Sequence, residues 1–181
     1  MSKVHYSVPL IIYVPIVLYF SIKDFLINKE GLFSFSGFFL LGILVWSFTE
    51  YILHRFLFHF IPKSSWGSRL HFIFHGVHHD YPNDAKRLVM PPSVSLPLAI
   101  LFYCLFSLFL SIGNLYAFFP GFVTGYLVYD ISHYAIHHFN FKSKHWKKIK
   151  KHHMLHHYSN SSKAFGVSSP LWDNIFQSNL N

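Results

Sequence analysis

Between residues 71 and 80 the chain reads HFIFHGVHHD, in which His71, His75, His78 and His79 supply four of ten residues. They fall at i, i+4, i+7 and i+8, where an amphipathic helix normally sets Leu or Phe against its core. Imidazole is a poor core filler and a good metal ligand, because near neutral pH one ring nitrogen carries no proton. The H-x-x-H-H spacing of His75, His78 and His79 returns at His153, His156 and His157 in HHMLHHY. In DISHYAIHH, His133 and His137 stand four apart, again on one helix face. His54 and His59 in HRFLFH are five apart, about 140° around a regular helix. Either the helix end is distorted there, or the two rings point toward different metals or different sides of one cluster.

These ten imidazoles (His54, His59, His75, His78, His79, His133, His137, His153, His156 and His157) exceed the four to six positions of one ion, so they imply two metals. Neutral and without metal they would bury polar nitrogen at a cost; protonated, they would repel one another. His5, His138 and His145 read instead as hydrated or hydrogen-bonded side chains. His71 and His152 have a spacing that suits either a donor behind a ligand or plain packing. Asp130 shares a helix face with His133 and His137, which makes it a candidate acceptor for a ligand imidazole, ahead of a role in neutralising a nearby Lys or Arg. Tyr129 is a further pocket candidate. Trp172 and Phe176, four apart after Ser169-Pro170, suggest a short capped helix whose aromatics pack.

The elements that must carry these residues are apolar. Hydrophobic residues make up 52% of the 181, aromatic residues 20% and charged residues only 12%, about half the usual share. A membrane protein fits that balance. Lys and Arg outnumber Asp and Glu by 15 to 7, but they cluster beside apolar segments, which favours a cytoplasmic loop or an anionic lipid surface over nucleic acid. The single Cys104 excludes a disulfide framework and a thiolate zinc finger. Four segments, at about residues 6–27, 32–60, 94–112 and 115–133, approach the roughly 20 residues a spanning helix needs. Pro9, Pro15 and the Lys23-Asp24 pair mark the first as kinked, tilted or partly interfacial, retained rather than cleaved. Gly113-Asn114 is expected to turn the last two into a tight hairpin. With both termini cytoplasmic, thirteen of the fifteen Lys and Arg fall inside and only Lys23 and Lys29 opposite. The same topology gathers the histidines at the cytoplasmic face. The expected fold is therefore an all-α membrane protein, one domain over residues 1–181, with four transmembrane helices and a cytoplasmic helical cap that holds a histidine-rich dimetal site.

All-histidine sites suit zinc, copper, iron or nickel alike. Position narrows the chemistry, since the site lies where an acyl chain meets its headgroup and so implies a lipid substrate. Zinc there would hydrolyse; iron would attack an unactivated C–H bond with dioxygen, two electrons and two protons. The chain contains no G-x-S-x-G, G-x-G-x-x-G or G-x-x-x-x-G-K-[ST], so esterase, dinucleotide-binding and nucleotide-hydrolysing roles lack support.

From about Glu50 to Gln177 the sequence resembles the fatty acid hydroxylase superfamily of membrane di-iron enzymes, and within it the fatty acid 2-hydroxylases. The segments that carry the likeness are EYILHRFLFHF, LHFIFHGVHHDYPNDAKRLVMPP, GYLVYDISHYAIHH, KKHHMLHHY and FGVSSPLWDNIF. RLVMPP and FGVSSPLWD look like that subgroup although metal binding does not require them. The resemblance implies that the ten histidines named above are the ligands of two iron ions, with zinc a possible occupant of purified protein. It also implies dioxygen as co-substrate and one hydroxyl inserted at carbon 2 of a long acyl chain, free or within a sphingolipid. Many relatives carry a fused cytochrome b5 domain with an HPGG stretch. This sequence has none, so the expected electron source is a separate cytochrome b5, or a ferredoxin with its reductase; Lys142 to Lys151 offer either a docking surface for it or, equally, a contact for lipid headgroups. The membrane would be a bacterial inner membrane or endoplasmic reticulum. Rival readings are another dimetal lipid oxidase (a desaturase, sterol or carotenoid hydroxylase) and a non-catalytic metal-binding or metal-transporting membrane protein; transporters, however, place their ligands near the midplane.

Overall fold

Backbone in an apolar medium can satisfy its own polar groups by coiling, and the apolar runs do so. The computed structural model describes residues 3–27 and 31–180, and among these the regular structure is entirely helical. Lys29, expected opposite the cytoplasmic face, lies outside the described residues. Helix α1 is Ser7–Ile27 and α2 is Leu32–Ile52, which runs on into a π-helical turn at Leu53–Phe58. A short α3, Ser65–His71, leads through a second π turn, Phe72–Gly76, to the single turn α4, Val77–Asp80. There follow α5 (Pro92–Ser107), α6 (Ile112–His138), α7 (Lys144–Tyr158) and α8 (Leu171–Ile175). Two stretches, Ser7–Ile27 and Leu32–Phe58, are long and apolar enough to cross a membrane; Pro92–Ser107 is apolar but shorter.

The hairpin between α5 and α6 forms earlier than the sequence suggests. Gly113 and Asn114 lie in the first turn of α6, and the connection is residues 108–111. Ser111 decides this. Its Oγ accepts from the Asn114 N–H and its carbonyl from Leu115, so a serine cap starts the helix ahead of the glycine.

The chain forms two compact units. One comprises Ser7–Ser47 and Met90–Val128. Its interior is aromatic: Tyr13, Trp46, Phe118, Phe119 and Phe122 are buried, and the Trp46 ring meets Phe122 and Tyr126 edge-on at 5.1 and 5.2 Å. Close backbone approach makes this possible. A Cβ on Gly121 would stand 2.0 Å from the Phe39 carbonyl oxygen, so only glycine lets α6 touch α2 there. The outward residues are aliphatic or aromatic too, with Ile11 69%, Phe33 94% and Leu101 60% exposed, a surface that water would not favour. The other unit comprises the N-terminal residues to Tyr6, Phe48–Val89 and Tyr129–Asn181, and it holds all the clustered histidines. Its α7 buries Ile149, His153 and His156 and turns Lys144, Lys147, Lys148 and Lys151 outward.

Candidate metal centre

The ten histidines collect into two groups of five. His54, His59, His75, His79 and His156 form the first, and His78, His133, His137, His153 and His157 the second; within each, the candidate donor atoms lie within 4.8 Å of one another. The two H-x-x-H-H motifs are split between the groups in opposite senses. His75 and His79, four apart, join the first group while His78 goes to the second; His153 and His157 join the second while His156 goes to the first. Both members of the five-spaced pair fall in one group because the chain from Leu53 to Phe58 is a π turn, whose wider winding brings His59 under His54. Of the two readings the spacing allowed, helix distortion is the one found.

Every close contact inside the groups is Nε2 to Nε2. His59 stands 3.2 Å from His54, 3.0 Å from His156 and 3.3 Å from His75, which is 3.0 Å from His79. In the second group His78 lies 2.9 Å from His133 and 3.0 Å from His157, and His153 lies 3.0 Å from both His137 and His157. Two donors at right angles around an ion with metal–nitrogen bonds of about 2.1 Å stand about 3.0 Å apart. The spacings thus fit the edges of two coordination polyhedra.

Tautomers point the same way. A carbonyl only accepts, so a ring nitrogen bonded to one must carry the proton and leave its other nitrogen bare. His54 Nδ1 donates to the Phe165 carbonyl, His156 Nδ1 to that of Lys163 at 2.6 Å, and His133 Nδ1 to that of Leu88 at 3.0 Å. Their Nε2 lone pairs therefore face neighbouring Nε2 atoms, an arrangement a cation between them relieves. The Nδ1 atoms of His78, His153 and His157 are buried without a partner among the described residues. Protonation is suppressed in both groups: burial first, then the adjacent imidazoles, lower His79 to about 4 and His137 to about 3, and push His75, His78 and His153 well below the ordinary histidine value. Neutral rings are what a metal requires.

The other sequence candidates sort out as follows. His5, His71, His138, His145 and His152 fall outside both groups. His152 Nε2 donates to the Asp173 carboxylate at 3.0 Å, so of its two readings it takes the donor's. Asp130 is buried, and His133 Nδ1 donates to the Leu88 carbonyl. Tyr129 stacks on His133 at 5.9 Å. Trp172 packs on Phe48 at 4.7 Å and Phe176 stacks on Tyr51 at 5.4 Å, so the two aromatics pack as expected, although the helix starts after Pro170 without a side-chain cap.

Sequence reasoning missed Glu50 and Asp173, both buried, and the segment they hold. Glu50 Oε1 accepts the N–H groups of Val167 and Ser168 at 2.8 and 2.9 Å, and Oε2 accepts the Ser168 hydroxyl at 2.5 Å. Asp173 accepts the N–H groups of Phe165 and Gly166 at 3.0 and 2.7 Å and the Ser178 hydroxyl at 2.7 Å. The available signal was FGVSSPLWD itself, which looked dispensable for metal binding yet contains Phe165 and Asp173.

With the geometry described, comparison with known proteins gives a consistent result. The family model described as fatty acid hydroxylase matches residues 39–178. A dihydroceramide fatty acyl 2-hydroxylase of Arabidopsis thaliana is 41% identical over 135 residues, 75% of this chain and 57% of that one. The fatty acid 2-hydroxylase of Homo sapiens is 38% identical, covering 97% of this chain and 52% of its own length. A ceramide very long chain fatty acid hydroxylase of Saccharomyces cerevisiae is 39% identical over 97% of this chain and 46% of its own. The chain thus spans about half the length of the curated relatives it matches. A solved structure of full-length scs7p, with only its hydroxylase domain visible, superimposes with a TM-score of 0.94 at 39% identity, covering 99% of this chain and 68% of that one.

Proposed function

The chain belongs to the fatty acid hydroxylase family, and on that premise we propose that it is an integral-membrane oxygenase that places one hydroxyl on carbon 2 of a long acyl chain, free or amide-linked in a ceramide-type sphingolipid. The observation that carries this reading is the pair of five-imidazole groups, each with donors at the spacing of one coordination sphere. Relatives named as 2-hydroxylases of fatty acids and of dihydroceramide acyl groups support the substrate and the carbon. Two iron ions held by the ten histidines, His54, His59, His75, His79 and His156 on one and His78, His133, His137, His153 and His157 on the other, would supply dioxygen activation at an unactivated C–H bond. The balance is one C–H, one dioxygen, two electrons and two protons giving one C–OH and one water.

The chain's own residues perform the holding and shielding. The imidazoles present bare Nε2 atoms, and the carbonyls of Phe165, Lys163 and Leu88 keep three of them in that tautomer. Tyr129, stacked on His133, and the buried Asp130 are the residues we assign to the pocket wall. Four spans with a cytoplasmic cap, in a bacterial inner membrane or endoplasmic reticulum, are supported by the apolar outward faces of α1, α2 and α5. One domain is supported by a family match that runs through parts of both units. The electron donor we assign is cytochrome b5, or a ferredoxin with its reductase, and the exposed lysines of α7 suit such an acidic partner.

The test is lipid mass spectrometry on a host with and without the gene, with a donor system and ferrous iron supplied. A rise in acyl chains heavier by one oxygen, with the hydroxyl located at carbon 2 by fragmentation, is expected. Hydroxyl at mid-chain or on a sterol, chains lighter by two hydrogens, or no change in lipids despite metal-loaded protein would each overturn the assignment.

A further inference from the structure

The segment Lys163–Ser168 has no side chain that ligates, yet its backbone is among the most constrained in the cap. Four consecutive N–H groups, from Phe165 to Ser168, are taken up by two buried carboxylates, Asp173 for the first two and Glu50 for the last two. Ala164 adopts a left-handed φ of 59°, which a residue with a Cβ holds only when its surroundings impose it, and its N–H donates to the Ser178 carbonyl at 2.7 Å. Gly166 must be glycine, since a Cβ there would lie 2.1 Å from the Ser169 carbonyl oxygen and 3.0 Å from the Asp173 carboxylate. Behind Asp173 runs a polar chain: Arg55 donates to Tyr51 at 2.5 Å, Tyr51 to Ser178 at 2.9 Å, and Ser178 to Asp173. Burial pushes the Asp173 carboxyl up, but donation from His152, Ser178 and the Gly166 and Phe165 amides outweighs it and holds the group below its ordinary value, as an anion.

What this strap presents to the cap is two carbonyls. Lys163 and Phe165 meet the Nδ1 atoms of His156 and His54, and both histidines belong to the same group. The other group takes its one backbone anchor from Leu88, in a different segment, and three of its rings have none. We infer that Glu50 and Asp173 are positioning residues for one metal of the two: by clamping the 163–168 backbone they hold His54 and His156 in the tautomer and orientation that aim Nε2 at the ion of the first group. This rests on the reading above that the groups hold metal. An arrangement that served stability alone would not need both carbonyls on the ligands of a single group.

The experiment is titration of metal-stripped protein in detergent with Co2+, followed by its visible absorption, with thermal unfolding of the stripped protein alongside. Wild type is expected to take up two equivalents; failure to do so sinks the metal-centre reading and not this inference alone. Glu50→Ala is expected to weaken one equivalent by about 10- to 100-fold and leave the other unchanged. Glu50→Gln, whose amide oxygen still accepts both N–H groups, should restore that equivalent to within a few-fold. Asp173→Asn should weaken the same equivalent, and Ser168→Ala, a milder withdrawal from the Glu50 clamp, keeps the test open should Glu50→Ala not accumulate. Loss of both equivalents in parallel with a lowered melting temperature, a Glu50→Gln as impaired as Glu50→Ala, or two unaltered equivalents in the folded variants would each overturn the inference.

Discussion

A ring nitrogen can hold a metal only while it carries no proton, and the cap enforces that condition by burial and by the company each imidazole keeps. His79 shows the consequence for stability. Its value of about 4 in the folded chain lies below the ordinary 6.5, so above pH 6.5 both folded and unfolded chains are neutral at this ring. As pH falls from 6.5 toward 4 only the unfolded chain takes up the proton, and folding weakens. Metal-stripped protein is therefore expected to melt several degrees lower at pH 5 than at pH 7.5, a shift of roughly the size a 1 to 2 kcal/mol change gives in a chain of this length. Scanning calorimetry across that range checks it; a flat profile would mean the rings are hydrated. The members of the two groups were legible because histidine, a side chain that binds metal, recurs at the helical spacing where an apolar residue normally stands. Their anchors were not. Leu88, Lys163 and Phe165 act through main-chain carbonyls, which every residue carries, so no residue type betrays them.

At the scale of elements, the two π turns matter most. The turn Leu53–Phe58 absorbs one extra residue, and that residue is why a pair five apart can share a group. Deleting Leu57, whose side chain is exposed, should return the stretch to regular α-helix and leave the two histidines four apart, about 40° around it and still on one face. The expected result is that both metal equivalents and the helix content are retained, read by metal analysis and circular dichroism. Loss of one equivalent would show that the π winding itself, and not the shared face, places His59. The five-residue spacing left a distorted helix end as one of two readings, and nothing in Leu53 to Phe58 names its kind, since a π turn is stabilised by what its side chains reach rather than by local propensity. The α5–α6 connection was misplaced for a related reason: Gly113-Asn114 is strong turn chemistry, and a single capping serine outcompeted it.

Over the whole molecule, composition correctly forecast an all-helical, apolar chain whose histidines gather in one place, and the family likeness supplied the chemistry. What composition could not divide was the chain into its two compact units, because α2 and α6 each contribute residues to both. Cys104 offers a probe of the proposed spans. It is the one cysteine of the sequence, exposed on α5 among apolar neighbours. In membranes it is expected to resist a charged thiosulfonate added from either side, since a thiol in hydrocarbon does not ionise, and to react once the protein is unfolded in detergent. Rapid labelling by the charged reagent would remove α5 from the bilayer.

The way the two groups are joined constrains any chemistry that would use an ion in each. His78 and His79 are adjacent in the chain but serve different groups, as do His156 and His157. Consecutive α-carbons are fixed about 3.8 Å apart by the peptide bond. The two groups are thus stitched together twice by covalent links, so thermal breathing of the cap or pressure from surrounding lipid can tilt the pair as a body but cannot pull its halves apart without uncoiling a helix.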